Sequence, residues 1–323
     1  MPFGRTAQPT VLVTGATGCL GRPTVEGLAR AGYRVRAGAR SPDESISSLV
    51  QPICIDITDT ESVRKAMNGV DIVVHLAGKV HRCINSPLEA KDMRTINSEG
   101  TYRVADEARR ARVSRLILAS SVAVYGDNTQ PRALDESTAC HPCTVYGQTK
   151  YAAEKHWLEA GGIVLRLPLV FGAFDKGNAA RLLRLVRAGR VMVVGRGDNR
   201  KSVVYSGNVA DRIVLLSSLD GVSADTFNVV DSSPTQQELI LAMSHVVGRQ
   251  PPVRVPARLA QIGGAFLDSL NRAYGRTAHW QQDLLTLTRH TEFDGRRLDC
   301  MLRYQPRVSL PDGLARVLHW LSA

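Results

Sequence analysis

The sequence predicts an α/β fold: a doubly wound parallel sheet covered on both faces, with a smaller, mainly helical C-terminal lobe. Three observations carry this. Short β-branched runs alternate with helical stretches through the first half of the chain. A glycine-spaced loop follows the first run. After about Val170 the alternation breaks and helical stretches dominate.

The elements follow in order. Thr10 to Thr14 is a short β-branched strand, and Leu20 to Ala31 has helical periodicity. Tyr33 to Ala37 and Ile53 to Ile55 make strands two and three. Asp59 to Met67 reads as a helix capped by Thr58 or Asp59. Asp71 to Leu76 is a fourth strand, Met93 to Ala111 a long helix and Arg115 to Ala119 a fifth strand. Tyr146 to Glu159 is helical, and Gly162 to Leu167 is a sixth strand. Right-handed crossovers between such strands give a doubly wound sheet. Gly177 to Ala188 reads as a helix, and a strand follows Ser202. Asn208 to Leu219 (helix) and Thr226 to Val230 (strand) return to the sheet. The expected division is 8–170, with 203–231 returning, as the cofactor domain. Residues 171–202 and 232–323 form the substrate lobe.

Bulk properties narrow the function. At 323 residues and 44% hydrophobic, the chain can bury a large core. An aromatic fraction of 5% argues against a stacking surface for single-stranded nucleic acid. The net charge of +11 is mostly arginine, scattered without a long block, which favours a basic surface containing a phosphate site over a nucleic-acid partner. Arg181, Arg184 and Arg187 recur every three residues and line one helix face, expected to be solvated. No stretch of roughly 18 apolar residues occurs, so no membrane span is expected. The first ten residues do not resemble a leader, and a cytoplasmic protein with reduced thiols is expected.

The six cysteines are Cys19, Cys54, Cys83, Cys140, Cys143 and Cys300. Cys140 and Cys143 have redox or zinc spacing, but no second ligand pair accompanies them. They also precede the Tyr146 helix by several residues instead of capping it, so two loop thiols and no metal site are expected.

The glycine loop reads Thr14-Gly15-Ala16-Thr17-Gly18-Cys19-Leu20-Gly21. Gly15 allows a tight turn, Gly18 lets a pyrophosphate approach the backbone, and Gly21 permits close helix–sheet packing. An acid about 20 residues past the loop would hold a ribose hydroxyl and favour NAD. Here the second strand ends in Ala39-Arg40-Ser41, so Arg40 can meet a 2′-phosphate, and NADP is slightly favoured over NAD. Asp56 is placed to accept from the adenine amino group.

Tyr146 and Lys150 stand four apart on one helical face. An ammonium beside a phenol stabilises the phenolate, and the tyrosine can then exchange a proton with an alcohol or ketone oxygen. Ser120 and Ser121, at the end of the fifth strand, can hydrogen-bond the same oxygen.

Taken together, TGATGCLG (14–21), DIVVHLAG (71–78), INSEGT (96–101), SSVAVYG (120–126), YGQTK (146–150) and RLPLVFG (166–172) make the chain resemble the extended short-chain dehydrogenases/reductases of the NAD-dependent epimerase/dehydratase family. The resemblance implies a Rossmann-type fold, catalysis by Ser121, Tyr146 and Lys150, and a homodimer. It implies a cofactor site built from Gly15, Thr17, Gly18, Cys19, Leu20, Arg40, Asp56, Ile57, Leu76, Ala77, Gly78, Asn97, Ala119, Tyr146, Lys150, Pro168 and Val170. Within it, Asn97 helps fix the active-site helix. The later part is similar to 4-epimerases and 4-ketosugar reductases acting on UDP-sugars. That implies Ser121, Val122, Asn178 (after Lys176 and Gly177), Arg200 and Lys201 as substrate contacts. Lysine at 201 departs from the family's arginine and lacks its bidentate fork. Two other readings stand beside this one: a ketone or aldehyde reductase of hydroxysteroid or dihydroflavonol type, and a cofactor-binding regulator without turnover.

Overall fold

The computed structural model describes residues 8–41, 50–79, 86–127, 132–175, 177–263, 265 and 288–322. Cys83 and Lys176 lie outside these residues. Seven parallel strands form the sheet: β1 (Thr10–Thr14), β2 (Arg34–Ala39), β3 (Val50–Cys54), β4 (Ile72–His75), β5 (Arg115–Ser121), β6 (Ile163–Leu167) and β10 (Thr226–Asn228). Their spatial order is β10-β6-β5-β4-β1-β2-β3. This is the doubly wound order, and the chain reverses direction across the β1–β4 boundary.

Alternation of side chains builds two cores. Val11, Val13, Ile117 and Leu165 face α1 (Gly21–Arg30) and α7 (Ser206–Ser218). Leu12, Val73, Leu118 and Val164 face α2 (Thr60–Ala66), α4 (Thr101–Arg110) and α5 (Val145–Glu159). Burial on both faces explains why these strands read as continuous apolar runs.

A third core joins β7 (Leu169–Phe171), β9 (Val203–Tyr205), α6 (Asn178–Arg187), α8 (Gln236–Val246) and the helix Leu310–Ser322. β7 pairs with β9, and β8 (Val193–Val194) pairs with β11 (Arg254–Val255). These pairs are two or three residues long, too short for a periodic pattern. Buried Arg212 of α7 ties the C-terminal part to the sheet through Asp231 (2.8 Å) and Asp299 (2.7 Å).

Several boundaries differ from the sequence expectation. β3 starts at Val50 and includes Pro52, tolerated because β3 is an edge strand. The helix expected from Met93 begins at Pro87 as α3 (Pro87–Arg94), capped by the Ser86 hydroxyl. Between α3 and α4 the chain makes a π-helical turn, Thr95–Gly100, which sequence periodicity did not reveal. Asp59, not Thr58, caps α2 by accepting from Glu61 N.

Candidate active site

The ends of β1, β4 and β5 converge with the π-helical turn and the first turns of α5. Gly15 has φ +71, and a Cβ there would lie 2.7 Å from Ala77 N. Only glycine fits, so the loop is pressed onto the Leu76–Gly78 segment. A Cβ on Gly21 would come within 2.2 Å of Gly15 O, which fixes the close approach of α1. Gly18 is exposed and Thr17 and Leu20 half-buried, leaving the backbone of the loop accessible. This bare glycine cradle at a helix start fits a pyrophosphate. Cys19 contributes backbone only: burial and Asp175 push its thiol up to about 12, against a hydrogen bond with Ser206.

Ser121 ends β5 and caps the turn Val122–Tyr125 by accepting from Ala123 N at 3.2 Å. Its hydroxyl also hydrogen-bonds Tyr146. Ser120 points into the core, where its hydroxyl meets Glu154. The two serines are thereby distinguished. Lys150 is buried, and its Nζ donates to Ala119 O at 2.9 Å. Burial lowers the ammonium to about 8, opposed by the charge of Glu154. A Cβ on Gly78 would lie 3.2 Å from Asn97 Oδ1 and 3.4 Å from Lys150 Nζ, so Gly78 packs directly over both.

One sequence expectation needs correcting. The ammonium was expected to lower the Tyr146 phenol. Burial dominates instead and raises it, opposed by the bond with Ser121.

Asn97 sits within the π-helical turn and is buried. Its side chain accepts from Lys79 N at 2.7 Å and donates to Lys79 O at 3.0 Å. Ser98 Oγ donates to Thr149 O at 3.1 Å, tying the turn to α5.

His75 was missed in the sequence. Its Nδ1 lies 2.6 Å from Thr14 Oγ1, and its Nε2 lies 3.1 Å from Thr101 Oγ1. The Thr101 hydroxyl donates to Asn97 O at 2.7 Å, so its oxygen must accept from Nε2–H. Nδ1 then accepts from the Thr14 hydroxyl, whose oxygen accepts from Ala77 N at 3.3 Å. This chain joins the glycine loop's strand, the Leu76–Gly78 segment and the Asn97 turn. Burial and the Lys150 charge push the imidazole down to about 3, so it is neutral. Trp157 stacks on it at 5.6 Å.

Glu154 was also missed. It is buried one turn past Lys150 and holds Arg166 through Oε2 at 2.8 Å. A charge inside the apolar strand Ile163–Leu167 required a buried partner, and that was the legible sign.

At the adenine end, Asp56 Oδ1 accepts from Thr58 N at 2.9 Å and Thr58 Oγ1 at 2.8 Å. These bonds hold its carboxyl below the usual range, with Arg40 adding to the effect. Arg40 is exposed at the end of β2 and Ile57 is buried. Pro168 and Val170 flank the junction of β6 and β7, half-buried.

The expected substrate residues divide. Asn178 is exposed in the first turn of α6. Arg200 donates to Ser233 O at 2.8 Å, and Lys201 Nζ donates to Arg289 O. Burial and the Arg289 charge lower Lys201 to about 8. Arg289 also pairs with Asp127, which accepts from Cys143 Sγ at 3.3 Å. Through Arg289 the Lys201 region is linked to the loop three residues before Tyr146. Cys140 and Cys143 are free thiols whose pKa burial raises.

The family model for "NAD dependent epimerase/dehydratase family" matches residues 11–229. The chain belongs to this family. It is an NAD(P)-dependent enzyme of the extended short-chain dehydrogenase/reductase type. It is 28% identical over 276 residues to the N-acetyl-α-D-glucosaminyl-diphospho-ditrans,octacis-undecaprenol 4-epimerase of Escherichia coli O157:H7, covering 82% of this chain and 81% of that protein. It is 28% identical over 273 residues to the 4-hydroxy-2-methyl-3-oxo-4-farnesyl-3,4-dihydroquinoline-1-oxide ketoreductase of Stigmatella aurantiaca, covering 81% and 80%. Among solved structures, UDP-glucose 4-epimerase of Thermotoga maritima with UDP-glucose matches with TM-score 0.77 at 21% identity, covering 97% of this chain and 98% of that one. No helix among the described residues is long and apolar enough to cross a membrane.

Proposed function

We propose that the chain exchanges hydride at a secondary alcohol or ketone carbon of a nucleotide sugar, as a UDP-hexose 4-epimerase or a 4-ketosugar reductase. The observation that carries this is the Ser121–Tyr146 hydrogen bond, with Lys150 buried one turn further along α5. Sugar epimerases among the relatives support the sugar diphosphate as substrate class.

When bound, the nicotinamide supplies the hydride donor or acceptor. Gly15, Thr17, Gly18, Leu20 and the backbone of Cys19 cradle the pyrophosphate. Asp56 and Ile57 border the adenine, while Leu76, Ala77, Gly78, Asn97 and Ala119 line the path to the nicotinamide, closed by Pro168 and Val170. Arg40, exposed beside Asp56, favours NADP(H). Ser121 donates to the substrate oxygen and Tyr146 moves the proton at that oxygen. Burial raises the phenol and favours its protonated form, the one that donates to a developing alkoxide when a ketone is reduced; when an alcohol is oxidised, the deprotonated oxygen accepts instead. Lys150 gives one N–H to Ala119 O and has two left for the cofactor. Val122, Asn178, Arg200 and Lys201 receive the sugar and its diphosphate, and the Arg289 linkage joins Lys201 to the tyrosine loop.

In this reading residues 8–170 and 203–231 hold the cofactor, and 171–202 and 232–323 hold the substrate. The working form is a cytoplasmic homodimer. The ketoreductase relative supports a second reading, reduction of a more apolar ketone.

Tyr146→Phe tests the core claim. Turnover of a UDP-hexose, or of its 4-keto form with NADPH, falls by about 10²–10⁴ while the fold, followed by circular dichroism, holds. Near-full turnover in this variant would sink the proton-transfer role. Turnover confined to apolar ketones would replace the sugar reading with the second one.

A further inference from the structure

The positive charge is scattered in sequence but concentrated in the fold. Segments 177–196 and 247–263 carry eight arginines and no acid, a net of +8. The fold brings them together. β11 pairs with β8, and Val193 N donates to Val253 O at 3.1 Å. Arg249 Nε donates to Arg187 O at 3.1 Å, which joins the end of α8 to the end of α6. The expected solvated face of α6 is present: Arg181, Arg184 and Arg187 are exposed.

The same region carries exposed aliphatic side chains. Met192 (51%), Val253 (74%), Leu259 (59%) and Ile262 (67%) are four of the five large hydrophobic residues exposed among those described. Met192 and Val253 flank the paired strands β8 and β11. Leu259 and Ile262 stand three apart on the helical stretch 257–263, whose Ala260 faces inward. Exposed aliphatic residues gathered inside an arginine-rich surface are costly in water and are characteristic of an interaction site.

We propose that this face, formed by α6, β8, β11 and residues 257–263, docks the protein reversibly on an anionic phospholipid bilayer. The arginines meet the headgroup phosphates, and the four aliphatic side chains enter the interfacial layer. The aliphatic component distinguishes a bilayer from a nucleic acid, which offers phosphate without an apolar layer. With no spanning helix among the described residues, binding is peripheral and sensitive to salt. The proposal does not depend on the sugar reading, because vesicle binding is measured without turnover.

The test is co-sedimentation of the full chain with vesicles of phosphatidylglycerol and phosphatidylcholine, or of phosphatidylcholine alone. Binding to the anionic vesicles, weakened by high salt, is expected. The pair Arg190→Ala and Arg258→Ala weakens it by about fivefold per arginine. The pair Leu259→Ser and Ile262→Ser also weakens it severalfold, whereas Leu88→Ser, at an exposed residue on α3, leaves it unchanged. Circular dichroism and cofactor binding confirm that each variant is folded. Equal binding to neutral vesicles, no binding to either, or full retention in the aliphatic pair overturns the proposal. So does duplex DNA that displaces the vesicles at equal phosphate concentration.

Discussion

His75 offers a quantitative check on the interior of the site. It is fully buried and pushed down to about 3 from 6.5, because burial and the Lys150 charge both oppose a second positive charge. The unfolded chain therefore binds a proton below pH 6.5 that the folded chain refuses until about pH 3. Stability is fully present above pH 6.5 and is lost as pH falls through that window. At about pH 5 the loss from this residue alone is about 2 kcal/mol, from ~1.4 kcal/mol per pKa unit. His75→Phe preserves the stack on Trp157 and removes the titration. It leaves the Thr14 hydroxyl without its acceptor, a fixed cost of about 1–3 kcal/mol at every pH. Urea unfolding of both proteins at about pH 7.5 and about pH 5 separates the two effects. The wild type should lose about 2 kcal/mol more than the variant between the two conditions. Equal losses would mean that His75 is solvated or already charged in the folded state, and the derived hydrogen-bond chain would be wrong.

Two further substitutions probe the cofactor cradle. Gly15→Ala places a Cβ 2.7 Å from Ala77 N as well as at φ +71. Gly32→Ala meets φ +88 but nothing within 4 Å. The second should cost only the left-handed backbone penalty of about 1–2 kcal/mol. The first should cost more in thermal unfolding and should abolish cofactor binding by calorimetry; equal effects would refute the close-approach argument. Arg40→Ala should lower the NADPH-over-NADH affinity ratio by roughly ten- to a hundredfold, the value of a charge-assisted hydrogen bond. An unchanged ratio in fluorescence titration would assign Arg40 to the surface and return the preference to NAD.

What could be read from the sequence was local, and what could not was a matter of distance along the chain. The strand–glycine–helix unit lies within one short stretch of chain and the Tyr146–Lys150 pair within one helix, so their geometry follows from residue spacing alone. The His75 chain joins residues 61 and 26 positions apart, and no spacing rule reaches across them. Arg166 was an intermediate case: a charge in a buried strand requires a partner, but the pattern does not say that Glu154 supplies it. Tyr146 shows a different limit. Its neighbour was identified correctly, yet the direction of its pKa depends on how deeply the folded protein buries the ring. The arginine face combines both limits. Spacing gave Arg181, Arg184 and Arg187 one side of a helix, for which solvation was sufficient explanation. Only the bond from Arg249 to Arg187 and the pairing of β8 with β11 set that side beside Met192, Val253, Leu259 and Ile262. A charged stripe alone is satisfied by water. Joined to exposed aliphatic side chains, it calls for a partner that is both anionic and apolar.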